Sequence, residues 1–147
     1  MNQILILNGP NLNFLGVREP EIYGTDTLAT IEEMCREKAE QLGFEIDFRQ
    51  SNHEGNLVDW IQEAHTHFDG LVLNAAAYTH TSIAIHDALK LLDIPVIEVH
   101  LSNLAKREAF RQITLTAGVV TGQVSGLGKY GYRIGLIGLA DLINGGH

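Results

Sequence analysis

The residues best suited to chemistry lie in two places: Arg18 and Tyr23 in the stretch 8–24, NGPNLNFLGVREPEIYG, and Glu98 and His100 in EVHLSN. A phenol has a pKa of about 10, but a neighbouring guanidinium favours the phenolate and makes it a base able to remove a proton beside a carbonyl. Without further context, Arg18 is read as a solvated loop charge and Tyr23 as a loop anchor. Glu98 and His100 are two residues apart on a strand-like run, which puts both side chains on one face. A carboxylate there fixes the tautomer of the imidazole and favours its proton-donating form, although a histidine merely hydrogen-bonded at a strand end is the plainer alternative.

These groups need elements to hold them. Residues 4–7 are a short apolar run that ends in Asn8-Gly9-Pro10-Asn11, where the backbone must turn. The connection that follows runs for about fifteen residues, far beyond the usual 2–6 of an α/β unit, as a lid would. Pro20 stiffens it, and Gly16 and Gly24 are placed as hinges. The spacing of Leu28, Ile31, Cys35 and Leu42 predicts a helix over 27–42, with Asp26 or Thr27 as N-cap and Gly43 at its end. Residues 44–50 alternate strictly and predict a strand at the sheet edge. A helix is expected over 55–67, with Leu57, Trp60, Ile61 and Ala64 inward and His65 and His67 solvated in its last turn.

Residues 70–73 and 95–99 suit central parallel strands covered on both faces. Between and after them, helices are predicted over 82–92, 103–112 and from Tyr130 or Tyr132 to 143, with a fifth strand over 119–124. Five strands alternating with helices imply an α/β fold, a doubly wound five-stranded parallel sheet with helices on both faces, and the flavodoxin-like order 2-1-3-4-5. In that order the segments after strands one, three and four open on one crevice. Its mouth gathers Asn8 and Asn11; Asn74, Tyr78, Thr79 and His80; and Glu98, His100, Ser102 and Asn103. Ser82 is placed to cap a helix. Arg111 reads evenly as a surface charge or as a group reaching back to hydroxyls or an anion.

With 147 residues and 16.2 kDa, residues 1–147 are expected to form a single catalytic domain. A net charge of −8 argues against nucleic acid or an anionic membrane as partner, since phosphate backbones need clustered Lys and Arg. The lone Cys35 sits at an apolar helical position as a structural thiol, which fits a reducing cytoplasm. The first residues carry no basic leader, and no apolar stretch reaches the ~18–20 residues of a membrane span. Gly126-Leu-Gly128-Lys-Tyr-Gly131 matches G-x-G-x-x-G, but no strand with an acidic residue follows, so it is expected to be a decoy. His65 and His67 diverge on a helix and imply no metal. A non-catalytic flavodoxin-like module, binding FMN or receiving a phosphoryl group, is the alternative. It fits poorly, because a receiver needs an acidic cluster where this chain has Asn8 and Asn11, and NGPNLN is no flavin phosphate loop.

Six blocks in order, NGPNLN, REPEIYG, QSNHEG, NAAAYTHTS, EVHLSN and REAFR, make the chain resemble the type II 3-dehydroquinate dehydratases from Ile4 through Tyr132. The resemblance implies a cytoplasmic hydro-lyase of the shikimate pathway of aromatic amino-acid biosynthesis. It would need no cofactor, metal or Schiff base, and would dehydrate 3-dehydroquinate to 3-dehydroshikimate by anti elimination through an enolate. By resemblance Tyr23 is the base, Arg18 lowers its pKa and stabilises the transition state, Asn11 holds a water against the enolate oxygen, and His100, supported by Glu98, protonates the departing hydroxyl. Asn74 and the backbone of Leu101 and Ser102 would take the substrate carboxylate, and His80 and Arg111 its ring hydroxyls. The resemblance further implies a homododecamer, a tetramer of trimers, in which Asp87 enters a neighbour's site. The residues agree with this chemistry, which requires a base, an enolate stabiliser and an acid. The chain departs from the common pattern at Ala75 and Ala76, where Pro or Gly is usual and a less constrained loop is expected. It departs again at His86, commonly Arg, which is expected to make the contact through Asp87 more pH-sensitive.

Overall fold

Runs too short for helices form five strands: β1 (Asn2–Asn8), β2 (Phe44–Gln50), β3 (Gly70–Asn74), β4 (Val96–His100) and β5 (Gly122–Ser125). All pair in parallel in the order 2-1-3-4-5 in the computed structural model, which describes residues 1–17, 21 and 25–145. The amphipathic segments form α1 (Leu28–Leu42), α2 (Glu54–His67), α3 (Ile83–Leu89) and α4 (Tyr130–Asn144). Among the described residues, no helix is long and apolar enough to cross a membrane.

Alternation along β1 sorts the core into two layers. Ile4 and Ile6 face α1 and α4 with Val72, Ile97 and Val99, whereas Leu5 and Leu7 face α2 and α3 with Leu71 and Leu73. β3 and β4 are wholly buried, which is why they read as unbroken apolar runs. β2 lies at the edge as expected. Its Arg49 bonds Asp47 (2.7 Å) and Glu63 (2.8 Å) and lies over the rings of Trp60 and Phe68, tying the edge strand to α2.

α1 begins and ends where its residues require. Thr27 and Thr30 form a reciprocal cap, and Gly43 closes the helix with φ +77°. Cys35 is fully buried on the inner face of α1; burial first, and Glu32 second, push its thiol up to about 12 against the pull of Arg36. At pH 8 the folded protein is therefore expected to react with an aromatic disulfide reagent roughly 100-fold or more slowly than the denatured chain. A thiol released at the denatured rate would contradict the burial.

Three expected boundaries move. The segment predicted as a helix over 82–92 leaves α-geometry after Leu89, where Leu91 and Leu92 donate to Ala88 and Leu89 in tighter turns. The helix expected over 103–112 is two 3₁₀ turns, Leu104–Lys106 and Ala109–Arg111, because Arg107 is extended between them. The Gln112 side-chain amide takes the carbonyls of Leu104 (2.7 Å) and Arg107 (3.1 Å), which a helix would have given to backbone N–H groups. The fifth strand starts at Gly122 rather than at 119, where residues form a further 3₁₀ turn, Ala117–Val119.

Candidate active site

The carboxyl ends of β1, β3 and β4 meet around a cavity of about 100 Å³. The turn after β1 supplies Asn11, held with φ +69° while its backbone N–H donates to Asn52 Oδ1 at 2.9 Å. No side-chain cap bond occupies the Asn11 amide, which lines the cavity. The turn depends on Gly9: a Cβ there would stand 2.5 Å from the Ala75 carbonyl oxygen, because Gly9 N–H donates to the Asn74 carbonyl at 2.8 Å. Gln50 and Asn52, in the block QSNHEG, steady this turn. Gln50 Nε2 reaches the Gly9 carbonyl (3.2 Å) and Asn52 Oδ1 (3.2 Å).

From the end of β3 come Asn74 and the 3₁₀ turn Ala76–His80. Asn74 is locked at both ends of its amide: Oδ1 accepts from Ala76 N–H (3.1 Å) and Nδ2 donates to the Tyr132 hydroxyl (2.9 Å), which donates onward to Asn8 Oδ1 (2.6 Å). All three side chains are buried. Tyr132, whose hydroxyl burial pushes well above the usual phenol range, is a brace that local sequence patterns did not disclose. Tyr132→Phe is expected to cost about 2–4 kcal/mol of stability, since two buried amides lose their partner. It should also raise KM by freeing Asn74. Chemical denaturation measures the first and steady-state kinetics the second; an unchanged pair of values would refute the brace.

Ala76 lines the cavity with φ +52°. The loop is therefore more strained at this alanine than glycine would leave it, contrary to the expectation of a looser segment, because a Cβ is poorly tolerated in the left-handed region. Thr79 Oγ1 is the one buried side-chain polar atom without a partner among the described residues. Thr79→Val, which keeps the shape and deletes the hydroxyl, is expected to stabilise the fold by about 1 kcal/mol in chemical denaturation. A loss of that size would mean that the hydroxyl is satisfied.

β4 delivers the pair anticipated from its alternation. His100 Nε2 and Glu98 Oε2 are 2.8 Å apart, with the carboxylate fully buried and the imidazole 4% exposed at the cavity wall. With Nε2 engaged, Nδ1 is the ring nitrogen left to face a ligand. The other Glu98 oxygen accepts the hydroxyl of Thr116, a buried residue that no sequence motif singled out. Beyond β4, Leu101 and Ser102 line the cavity; the carbonyls of His100 and Leu101 are taken by Gly126 and Gly128 N–H. The G-x-G-x-x-G stretch thus serves the fold: Gly126 and Gly128 turn with positive φ, and a Cβ on Gly131 would stand 3.2 Å from Val99.

Two guanidiniums complete the wall. Arg111 bonds Glu108 (2.9 Å), and Arg107, which sequence reasoning had passed over within REAFR, donates to Ser102 Oγ (2.8 Å). Glu108 pairs with both guanidiniums, Arg111 at 2.9 Å and Arg107 at 3.3 Å, from outside the cavity, and no carboxylate lines the cavity among the described residues. His80 also lines it, its Nδ1 donating to the Ile113 carbonyl at 2.7 Å.

Several expected members lie elsewhere. Asn8 is buried behind the wall, Tyr78 donates to the Asn52 carbonyl, and Asn103 caps the turn that follows it. Asp87 is exposed on α3, outside this cavity, and His86 donates to the Leu115 carbonyl (2.5 Å). Arg18 and Tyr23, with Pro20 and Gly24, lie outside the described residues.

A model of the family described as Dehydroquinase class II matches residues 2–140. The 3-dehydroquinate dehydratase of Chelativorans sp. is 59% identical over 138 residues, 93% of this chain and 95% of that protein. The 3-dehydroquinate dehydratase of Rhizobium meliloti is 55% identical over 139 residues, 95% and 94% of the two chains. The crystal structure of type II dehydroquinase from Butyrivibrio crossotus superposes with a TM-score of 0.92 at 46% identity, covering 94% of this chain and 97% of that one.

Proposed function

The chain belongs to the class II dehydroquinase family, and from that premise we propose how its residues remove water from 3-dehydroquinate to give 3-dehydroshikimate, a step of the shikimate pathway. The Tyr23 phenolate, favoured by Arg18, takes a proton from the carbon beside the ketone. The electron pair moves onto the carbonyl oxygen, and the enolate is met by a water held by Asn11. Collapse of the enolate expels the β-hydroxyl, which leaves as water with a proton from His100 Nδ1, while Glu98 holds the ring by Nε2. Asn74 and the Leu101–Ser102 backbone receive the carboxylate, and His80 and Arg111 the ring hydroxyls.

The observation that supports this most is the buried Glu98–His100 pair opening on a cavity that carries two arginines and no described carboxylate. A proton donor beside two guanidiniums that line the same cavity suits a hydroxy acid losing water. Purified protein with a chelator and no added flavin is expected to convert 3-dehydroquinate, with ultraviolet absorbance of the conjugated enone acid rising. Absence of that absorbance would overturn the assignment.

The same premise extends to assembly and place. Asp87 is exposed on α3 and lines no part of its own chain's cavity, so it is free to enter a neighbour's in a dodecamer of four trimers, working in the cytoplasm. Exposed Ile83, Phe110 and Ile113 offer apolar surface for such contacts. Sedimentation should then report twelve times the 16.2 kDa of one chain.

A further inference from the structure

Thr116 lies sixteen residues beyond β4, yet its hydroxyl donates to Glu98 Oε1 inside the core. The segment that carries it is pinned on both sides. His80 Nδ1 donates to the Ile113 carbonyl (2.7 Å) and His86 Nδ1 to the Leu115 carbonyl (2.5 Å), while Leu115 N–H donates to the Thr79 carbonyl (2.8 Å). Thr114 Oγ1 accepts the backbone N–H groups of Thr116 (3.3 Å) and Ala117 (3.2 Å), and the Thr116 carbonyl accepts Val119 N–H (3.0 Å). The hydroxyl therefore reaches Glu98 from a backbone with little freedom to follow another partner.

Glu98 is fully buried, and its described side-chain partners are His100 and Thr116. A carboxylate in a dry interior needs its lone pairs met, and one left unmatched either rotates or draws another donor to it. With Oε1 satisfied by Thr116, Oε2 is the oxygen presented to His100 Nε2. We infer that Thr116 is a positioning residue for the dehydration: its hydroxyl fixes the rotation of Glu98, and through it the tautomer and aim of the His100 ring. This rests on the assignment of His100 as the acid, and it makes the 113–116 segment, with His80 and His86 as its clamps, part of the machinery that orients that acid.

Thr116→Val keeps the shape and removes the donor. It is expected to lower kcat for 3-dehydroquinate roughly tenfold, the size of one lost hydrogen bond to a charged group, while KM stays within about twofold. Thr116→Ser is expected to restore the parent kcat. Nitrogen NMR of the His100 ring should show Nε2 holding its proton in the parent and in Thr116→Ser, with Nδ1 the nitrogen that gains and loses the transferable one, and exchange between the two nitrogens in Thr116→Val. In a Glu98→Gln background the valine substitution should have little further effect on kcat, because its intermediary is already altered; that comparison also serves if Thr116→Val alone folds poorly. A parent-like kcat and tautomer in Thr116→Val, or failure of the serine variant to rescue, overturns the inference. His100→Asn separates the two levels: if it retains full turnover, the acid assignment itself fails, whereas its loss beside an unaffected Thr116→Val removes only the role of Thr116.

Discussion

Replacing His100 with asparagine is expected to lower kcat for 3-dehydroquinate about 100- to 10,000-fold, with KM changed only a few-fold. The departing hydroxyl is a poor leaving group unless it gains a proton as the bond breaks, and the donor proposed for it is the His100 ring nitrogen opposite Glu98, at the cavity wall. Because that proton moves only as the transition state is reached, its loss falls on turnover rather than on binding. Asparagine is the informative substitution, since it retains a donor toward the buried carboxylate. His100→Ala would strand Glu98 and add about 3–5 kcal/mol of folding loss, confusing stability with chemistry. Turnover within threefold of the parent, in an asparagine variant with an unchanged melting temperature, would exclude His100 as the acid.

What could be read from the chain was what repeats over short distances. The period of two along residues 98–100 was enough to put Glu98 beside His100, and the buried runs of β3 and β4 marked the centre of the sheet. The closing glycine at Gly43 follows from local backbone needs and stands where expected, and of the two caps the sequence offers, Asp26 or Thr27, it is Thr27 that caps. What escaped is carried by partners far apart in sequence. The Tyr132 hydroxyl meets Asn8 across 124 positions and Asn74 across 58, and Thr116 meets Glu98 across 18; no window of residues contains such pairs. The stretch 103–112 shows a different failure. Its composition allows a helix, but the side chain of Gln112 satisfies carbonyls that the helix would have used, so that tertiary detail outweighs propensity. The placement of Ala76 with positive φ is invisible for the same reason: it is imposed by the Asn74 side chain and by the approach of Gly9, not by alanine's own preference.

Substituting Tyr23 by phenylalanine should produce a loss at least as large, roughly 1,000-fold or more in kcat, because the ring is kept and only the base is deleted. The hydrogen removed from carbon beside a ketone is weakly acidic, so an elimination through an enolate stands or falls on the group that takes it. Among the described cavity-wall residues there is no carboxylate and no lysine to stand in, and of the two imidazoles His100 is assigned as donor to the leaving group and His80 to the ring hydroxyls, so activity surviving in Tyr23→Phe would point to His80. Arg18→Ala is the companion variant. If the guanidinium serves to favour the phenolate and to meet charge as it develops, kcat should fall while KM rises little, and part of the loss should return as pH is raised toward the ordinary phenol pKa of about 10. The sign follows from the cation's role: without it the phenol ionises only at higher pH, so the alkaline recovery belongs to Arg18→Ala and not to Tyr23→Phe. Tyr23→Phe turning over near the parent rate, or an Arg18→Ala variant that loses only affinity, would require the proton to be taken by some other group.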